Sequence, residues 1–231
     1  MKDELSAIAN LMGDPGRAAI LLSLMGGVAL PAGELANIAN IAPQTASGHL
    51  AKLIGSGLLT VERQGRHRYY RLFNTEVADA IEALLVLTPV ARSRRKNASL
   101  LPATAGSVAY ARTCYAHLAG WLGVKIAERI EERGFLHTAG VKTYTLTPPG
   151  RVWFQSLGIS VPSTNKASAK TARRCLDWTE RRHHLAGALG CSMFKRFQEL
   201  GLIATIRDTR AIRVTLEGKR QFWDLLRIPI G

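Results

Sequence analysis

The chain of 231 residues has a formal net charge of +14, a pI near 10.3 and 47% hydrophobic residues. Its length allows more than one domain with a sizeable core, and its charge favours an anionic partner such as nucleic acid. No apolar stretch is long enough to cross a bilayer, and no basic-then-apolar signal pattern opens the chain. An odd count of three cysteines argues against a disulfide framework, so we expect a folded cytoplasmic protein without a membrane partner.

The positive charge is unevenly distributed along the chain. Residues 1–96 contain 11 Lys and Arg against 8 Asp and Glu, whereas residues 97–231 contain 20 against 9. Most of the excess therefore lies in the C-terminal part. Either that part also faces a polyanion, or it binds something anionic itself.

Three helices are predicted before residue 40. Apolar residues recur at helical spacing over residues 7–12, 16–25 and 31–39, and Gly13-Asp14-Pro15 ends the first of these segments. A short turn at residues 40–42 leads from the third helix into a fourth. Two helices joined in this way are typical of a helix–turn–helix motif, which docks its second helix in a major groove of DNA.

The fourth helix has the composition of a DNA-recognition helix. Pro43 suits the first helical position, where its missing N–H costs nothing, and Leu50, Leu53 and Ile54 form an apolar stripe. The opposite face carries small or polar side chains that suit base edges and phosphates: Gln44, Thr45, Ser47, His49 and Lys52.

A β-hairpin is predicted directly after this helix. Residues 58–62 and 67–72 have strand composition, and we expect Gln64-Gly65 to form the tight turn between them. Because like charges repel, a basic tip does not help a hairpin fold, and it indicates that a polyanion lies against it. The basic residues near the tip are Arg63, Arg66, His67 and Arg68.

Taken in order, these features resemble the ArsR/SmtB family of bacterial winged-helix repressors over residues 1–90. The matching features are a short third helix, a polar-faced helix begun by Pro43, a G-L-L exit and a basic G-R-x-x-Y-Y hairpin. The resemblance implies a DNA-binding homodimer whose helix over residues 74–87 forms the dimer interface. It places Gln44, Thr45, Ser47 and His49 at bases and Arg63, Arg66 and Arg68 in the wing.

The resemblance does not extend to the best-known metal site of that family. Many metal-sensing members carry an E-L-C-x-C-type motif on the third helix, and residues 34–38 of this chain contain no cysteine. Residues 97–231 also extend beyond the compact family core. The resemblance therefore covers the DNA-binding part and not the effector.

The second half of the chain contains an internal repeat. H-L-A-G-W-L-G-V at 117–124 matches H-L-A-G-A-L-G-C at 184–191, a shift of 67 residues. We interpret each copy as helix, helix, hairpin and closing helix, which predicts two winged-helix-like repeats. The fold expected is mainly α with small β-hairpins. We expect a DNA-binding and dimerisation domain (1–90), a basic linker (91–106), repeat 1 (107–162), a linker (163–172) and repeat 2 (173–231).

The repeats also carry the cysteine and histidine residues. Cys114 and His117 are three residues apart, so on a helix they would share a face. A thiolate and an imidazole at that spacing can bind a soft or borderline metal ion. The candidates for an effector or redox site are Cys114, His117, Cys175, Asp177, Trp178, Arg181 and His184; the metal-ligand candidates among them are Cys114, His117, Cys175 and His184.

The residues leave several interpretations of this set open. His117 and His184 occupy equivalent repeat positions, which is also typical of a shared packing role. The thiols suit a redox-sensitive pair, Arg181 and Arg182 suit a clamp for a small anion, and an apolar small molecule suits the space between the copies. The sequence leaves the cofactor unknown, with a metal ion and a small-molecule effector as the two candidates.

The function expected is that of a transcriptional regulator and not of an enzyme. The sequence has no Gly-rich phosphate loop, no H-E-x-x-H and no G-x-S-x-G motif. We expect a repressor dimer on an inverted-repeat operator of double-stranded DNA, with Lys52 and the wing arginines anchoring phosphates. The alternatives are a nonspecific architectural DNA-binding protein and a winged-helix protein-interaction scaffold.

Overall fold

A computed structural model describes residues 2–88, 106–161, 170–207 and 209–230. The chain divides into two compact units, Met1–Ile81 and Glu82–Gly231. Nearly all of the predicted linker 91–106, and most of the predicted linker 163–172, lie outside the described residues. Within the described ranges, every helix is too short or too polar to cross a membrane.

The first unit opens with four α-helices, in the predicted order. The side chain of Asp14 caps the second helix by accepting a hydrogen bond from the backbone N–H of Arg17 at 2.9 Å. The helices are α1 (Lys2–Gly13), α2 (Pro15–Ser23), α3 (Ala32–Ile38) and α4 (Pro43–Gly55), with a 3₁₀ turn (Leu24–Gly26) after α2.

A three-stranded antiparallel sheet completes the first unit as a winged helix–turn–helix domain, as predicted. Its strands are β1 (Leu30–Pro31), β2 (Leu59–Gln64) and β3 (His67–Leu72), in the order β1-β3-β2. Gln64 pairs with His67, so the two-residue loop is Gly65-Arg66 and the predicted turn at Gln64-Gly65 was wrong by one residue. Gly65 has a φ of 60°, a conformation that tight hairpin turns require and glycine adopts readily.

Helix α5 (Thr75–Leu85) follows the wing and carries residues of both units. Its first turn is capped by Asn74, whose side-chain oxygen accepts a hydrogen bond from the N–H of Val77 at 3.0 Å. Ile81 and Glu82 are buried, whereas Leu84 is 50% exposed.

The second unit consists of two copies of one arrangement: hairpin, helix, hairpin, helix. The first copy comprises β4 (Arg112–Cys114), β5 (His117–Ala119), α6 (Gly120–Glu132), β6 (Leu136–Thr138), β7 (Tyr144–Leu146) and α7 (Pro148–Ser156). The second comprises β8 (Arg173–Leu176), β9 (His183–Ala186), α8 (Gly187–Glu199), β10 (Ile203–Thr205), β11 (Ile212–Val214) and α9 (Leu216–Leu226).

The prediction that each copy begins with a helix was wrong, because both copies begin with a β-hairpin. All three residues of β4 and of β5 are buried, so these strands lack the polar–apolar alternation by which a half-exposed strand is predicted. Cys114 pairs with His117 across a two-residue turn, and Cys175 pairs with His184. The copies are therefore not the helix-first winged helices that the sequence suggested.

Two isolated β-bridges join the two copies. Arg112, in the first strand of copy one, bridges to Ala211 in copy two, and Thr143 in copy one bridges to Arg173 in copy two. They share one apolar core, in which Phe154 and the equivalent Phe222 are fully buried. Burial of this core is the main favourable term for the second unit and holds the copies together.

One glycine in each copy brings its helix close to the other copy's histidine. A Cβ on Gly123 of α6 would lie 2.5 Å from the carbonyl oxygen of Leu118 and 3.6 Å from the Cβ of His184. A Cβ on Gly190 of α8 would meet the carbonyl oxygen of Leu185 at least as closely, and His117 at 3.5 Å. The repeated L-A-G-x-L-G sequence thus packs each helix beside the hairpin of the other copy.

Candidate functional site

The first unit presents a polar helix face to solvent. On α4, Ala46, Leu50 and Leu53 are buried and fix which face points outward. The exposed residues on this helix include four of the predicted DNA-contacting residues: Gln44, Thr45, Ser47 and Lys52. Ser47 donates its hydroxyl to the carbonyl oxygen of Pro43 at 3.0 Å, which leaves its lone pairs available as acceptors.

The structure separates His49 from that exposed set. Its side chain is only 15% exposed, with Nε2 3.5 Å from Oδ1 of Asp14 and Nδ1 3.3 Å from Nη1 of Arg17. A hydrogen bond from the backbone N–H of Arg17 lowers the pKa of the Asp14 carboxyl. His49 therefore ties α4 to the start of α2.

The wing carries exposed positive charge at its tip. Arg63 and Arg68 are exposed cross-strand partners, and Arg66 lies in the exposed loop between their strands. Like charges directly opposite each other destabilise a hairpin. An anion lying against the tip would relieve this repulsion.

The second unit buries a cluster of two cysteines and two histidines. The sulfur atoms of Cys114 and Cys175 are 4.0 Å apart, and the Nε2 atoms of His117 and His184 are 3.1 Å apart. One ligand atom from each of the four residues lies within 4.8 Å of all the others. Hairpin register, and not the predicted helix face, brings each cysteine beside its histidine.

The equivalence of the two cysteines was missed in the sequence. The histidines are related by a shift of 67 residues, but the cysteines are related by 61, because the loop after β8 is longer than the turn after β4. The signal that shows it is A-R-T-C at 111–114 against A-R-R-C at 172–175. Allowing six extra residues in the second loop aligns both ligands of both copies.

A buried carboxylate stands behind the cluster. Oδ2 of Asp177 lies 3.3 Å from Nδ1 of His184 and 3.0 Å from Nη2 of Arg112, and it accepts a hydrogen bond from the N–H of Gly120 at 2.7 Å. Its other oxygen accepts the hydroxyl of Thr179 at 2.6 Å. Asp177 thus connects a cluster histidine with the first turn of α6 in the other copy.

Arg112 continues the buried network, and sequence reasoning did not single it out. The guanidinium is fully buried, 3.5 Å from the carboxylate of Glu82 and 5.0 Å from the centre of the Trp178 ring. Arg210 also pairs with Glu82, at 3.2 Å. Each of these charges has an opposite charge beside it, which offsets part of the cost of burying it.

The carboxylate of Asp177 and the cluster histidine His184 shift each other's pKa towards the charged form. Burial alone would raise the pKa of Asp177, but its contact with His184 and the charge of Arg112 keep that pKa well below its ordinary value. Burial alone would lower the pKa of His184, but the Cys175 thiolate and Asp177 raise it to about 9. Each charge therefore favours the other across their 3.3 Å contact.

The two thiols differ in acidity, although their positions are equivalent. The contact with Cys114 and the charge of His184 lower the pKa of Cys175 well below the ordinary thiol value. The same contact between the sulfurs, together with burial, raises the pKa of Cys114. Burial lowers the pKa of His117, which favours its neutral form.

The remaining predicted effector residues lie around this network. Trp178 is partly buried against Arg112. Arg181 donates to the carbonyl oxygen of Val86 at 2.7 Å, and Arg182 pairs with Glu128. These contacts direct the two arginines to separate partners.

Comparisons with known proteins found one relative that matches the whole chain and others that match its N-terminal part. A helix-turn-helix domain family matches residues 12–62. An uncharacterized HTH-type transcriptional regulator of Bacillus subtilis strain 168, YdfF, is 44% identical over 230 residues, covering 100% of both chains. The HTH-type transcriptional regulator CmtR of Mycobacterium tuberculosis H37Rv is 36% identical over 83 residues, covering 35% of this chain and 70% of CmtR.

Two of the similar solved structures each cover a little over a third of the chain. HlyU from Vibrio cholerae is 29% identical and has a TM-score of 0.33, covering 36% of this chain and 89% of HlyU. The NMR structure of the cadmium metal-sensor CmtR from M. tuberculosis has a TM-score of 0.30 at 32% identity, covering 37% of this chain and 84% of that one. The full-length relative is a transcriptional regulator, so the prediction of a regulator and not an enzyme is confirmed.

Proposed function

We propose that this chain, which belongs to the ArsR/SmtB-like winged helix–turn–helix transcriptional regulators, is a repressor. In this proposal it binds an inverted-repeat operator as a homodimer. The observation that carries the DNA-binding role is the combination of an outward polar face on α4 with an exposed basic wing tip in the same unit. In this proposal Gln44, Thr45 and Ser47 contact base edges in the major groove.

The other charged residues of the first unit have a different role. Lys52, Arg63, Arg66 and Arg68 lie exposed and neutralise phosphates, which positions the protein without reading sequence. His49, held against Asp14 and Arg17, orients α4 and does not read a base in this proposal.

The exposed apolar surface supports assembly as a dimer. Helix α1 has no buried side chain, and its Leu5 is 73% exposed. Large apolar side chains left open to water, such as Leu5 of α1 and Leu84 of α5, favour association with another surface. A second copy of the chain supplies that surface and places two recognition helices on the two halves of an operator.

The second unit is the effector unit in this proposal. Burial of charged and polar groups opposes folding unless they are compensated, so a core built only for stability favours aliphatic packing. The buried cysteine–histidine cluster, with Asp177 and Arg112 behind it, is therefore where we place the effector. An effector that binds one conformation of this unit more tightly shifts the population that binds DNA.

The first test is the selection of duplexes from a random DNA library by the full chain, followed by anisotropy titrations of the selected duplex and of a scrambled one. We expect an inverted repeat to be enriched. Gln44→Ala lowers affinity for the selected duplex about tenfold or more and leaves the scrambled duplex unchanged, because a bidentate base contact discriminates sequence. Gln155→Ala, at an exposed glutamine of α7, is the matched control and changes neither affinity.

Two results would overturn this proposal in favour of the alternatives. Strong binding without any enriched sequence would indicate a nonspecific architectural protein. Absence of DNA affinity even at low salt would indicate a protein-interaction scaffold.

A further inference from the structure

We propose that Cys114, His117, Cys175 and His184 bind one thiophilic divalent metal ion of the Zn²⁺ class in a four-coordinate Cys₂His₂ centre. Two ligands come from each copy of the repeat, through equivalent hairpin positions. The proposal deepens the proposed function by naming the effector class, and only its regulatory consequence rests on that function.

The distances fit a tetrahedral centre. Zinc–sulfur bonds of about 2.3 Å and zinc–nitrogen bonds of about 2.0 Å place the sulfurs of a tetrahedron about 3.8 Å apart and its nitrogens about 3.3 Å apart. The two sulfurs here are 4.0 Å apart and the two Nε2 atoms 3.1 Å apart. The widest separation in the cluster, up to 4.8 Å, has to close by about 1 Å for all four to bind one ion.

The ligand chemistry selects the class of metal. Thiolate and imidazole ligands suit Zn²⁺ and softer ions of the same charge, whereas Mg²⁺ and Ca²⁺ take oxygen ligands. Four protein ligands, all buried, leave no position for a water or a substrate. A closed site of this kind binds metal for structure or sensing and does not perform catalysis.

The carboxylate behind His184 completes the arrangement. A metal-bound histidine usually directs its second ring nitrogen to a carboxylate or carbonyl, which fixes the tautomer that leaves the first nitrogen free for the metal. Nδ1 of His184 faces Asp177 at 3.3 Å while its Nε2 faces the centre. Asp177 is itself held by Arg112 and by the N–H of Gly120, so the imidazole is presented by a fixed partner.

The test is a titration of the full chain with Co²⁺, after reduction and removal of metals by a chelator. We expect one equivalent of Co²⁺ to produce the visible absorption bands of a tetrahedral ion together with thiolate-to-cobalt charge transfer, and Zn²⁺ to abolish both. X-ray absorption at the cobalt edge of the wild-type protein should show two sulfur and two nitrogen neighbours. Oxygen-dominated coordination, or no uptake of a stoichiometric ion, would overturn the proposal.

Matched variants identify the ligands. Cys114→Ser and Cys175→Ser should each remove about half of the charge-transfer intensity and lower Co²⁺ affinity at least tenfold, whereas Cys191→Ser, at the third cysteine, should change neither. His117→Ala should likewise weaken binding, and His137→Ala, at an exposed histidine, should not. Circular dichroism of each metal-free variant establishes that it is folded, and equal losses in variants and controls would contradict the assignment.

DNA affinity measured on the same samples separates this proposal from the proposed function. Stoichiometric tetrahedral metal with unchanged operator affinity would support the centre and refute its role as effector site. Operator binding by a chain that takes up no metal would refute the centre and leave the DNA-binding role intact.

Discussion

The two units differ in the burial of their candidate site residues, which are mostly exposed in the first unit and mostly buried in the second. Among the described residues, every buried polar or charged side chain lies at position 82 or beyond: Glu82, Arg112, Thr113, His117, Thr147, Asp177, Thr179 and His184. In the first unit the candidate residues lie on an exposed helix face and an exposed hairpin tip. An exposed charge is hydrated and contributes little to stability, whereas a buried charge depends on its partners.

The largest effect that tests this difference is expected at Arg112, compared with Arg173 at the equivalent position of the second copy. Arg112→Ala removes the fully buried guanidinium that the carboxylates of Asp177 and Glu82 share and leaves them only His184 and Arg210 as charged partners, which costs about 3–5 kcal/mol of unfolding free energy. Arg173 is partly exposed, so Arg173→Ala should cost about 1 kcal/mol or less. Urea unfolding of both variants measures the difference, and equal losses would show that Arg112 is not the centre of a buried network.

A second effect should be the same in both copies, because it depends on what they share. Gly123→Ala and Gly190→Ala each force a methyl group against a strand carbonyl, and we expect each to cost about 1–3 kcal/mol of unfolding free energy. Gly33→Ala, in α3 with nothing within 4 Å of a new Cβ, should be neutral or stabilise by up to about 1 kcal/mol. Thermal unfolding distinguishes them, and a cost confined to one copy would contradict the structural equivalence.

The same contrast explains what the sequence could predict. The helices and wing of the first unit follow from helical periodicity and turn residues, because each is amphipathic around a simple core. The position of His49 does not, since periodicity places it beside the exposed residues and only its contacts with Asp14 and Arg17 remove it. Tertiary packing decides that case.

In the second unit the cysteines and histidines could be selected from the sequence, but they were predicted to lie on helices and in fact lie on β-hairpins. Cys114 and His117 are three residues apart, which suits one helical face as well as a tight hairpin, and fully buried strands give no alternation to decide. Glu82 and Arg210 join the network from distant parts of the chain. No local pattern predicts such partners, because ion pairs between residues far apart in the sequence form the network.

A third and smaller effect tests a difference between the copies in the residues that contact the proposed metal ligands. The hairpin loop of the second copy carries Asp177, whereas the turn of the first copy is Tyr115-Ala116 and has no carboxylate. Asp177→Asn should therefore lower Co²⁺ affinity about 10–100-fold while the tetrahedral spectrum persists. Glu180→Gln makes the same charge change in the same loop and should leave affinity within about threefold, well short of an outer-shell loss. Competition with a chelator of known affinity measures both, and a lost spectrum would instead make Asp177 a ligand.

The smallest effect concerns an exposed arginine of the first unit. Arg66→Ala should leave the unfolding free energy nearly unchanged and reduce the slope of log affinity against log salt by about one, since it removes roughly one phosphate contact. The loss should be similar for operator and scrambled duplexes, because phosphates carry no sequence information. Arg133→Ala removes the same charge from an exposed position of the second unit. If Arg133→Ala lowers the slope equally, net charge and not the wing tip governs DNA binding. The exposed arginines of the first unit would then have no DNA-binding role that distinguishes them from those of the second unit.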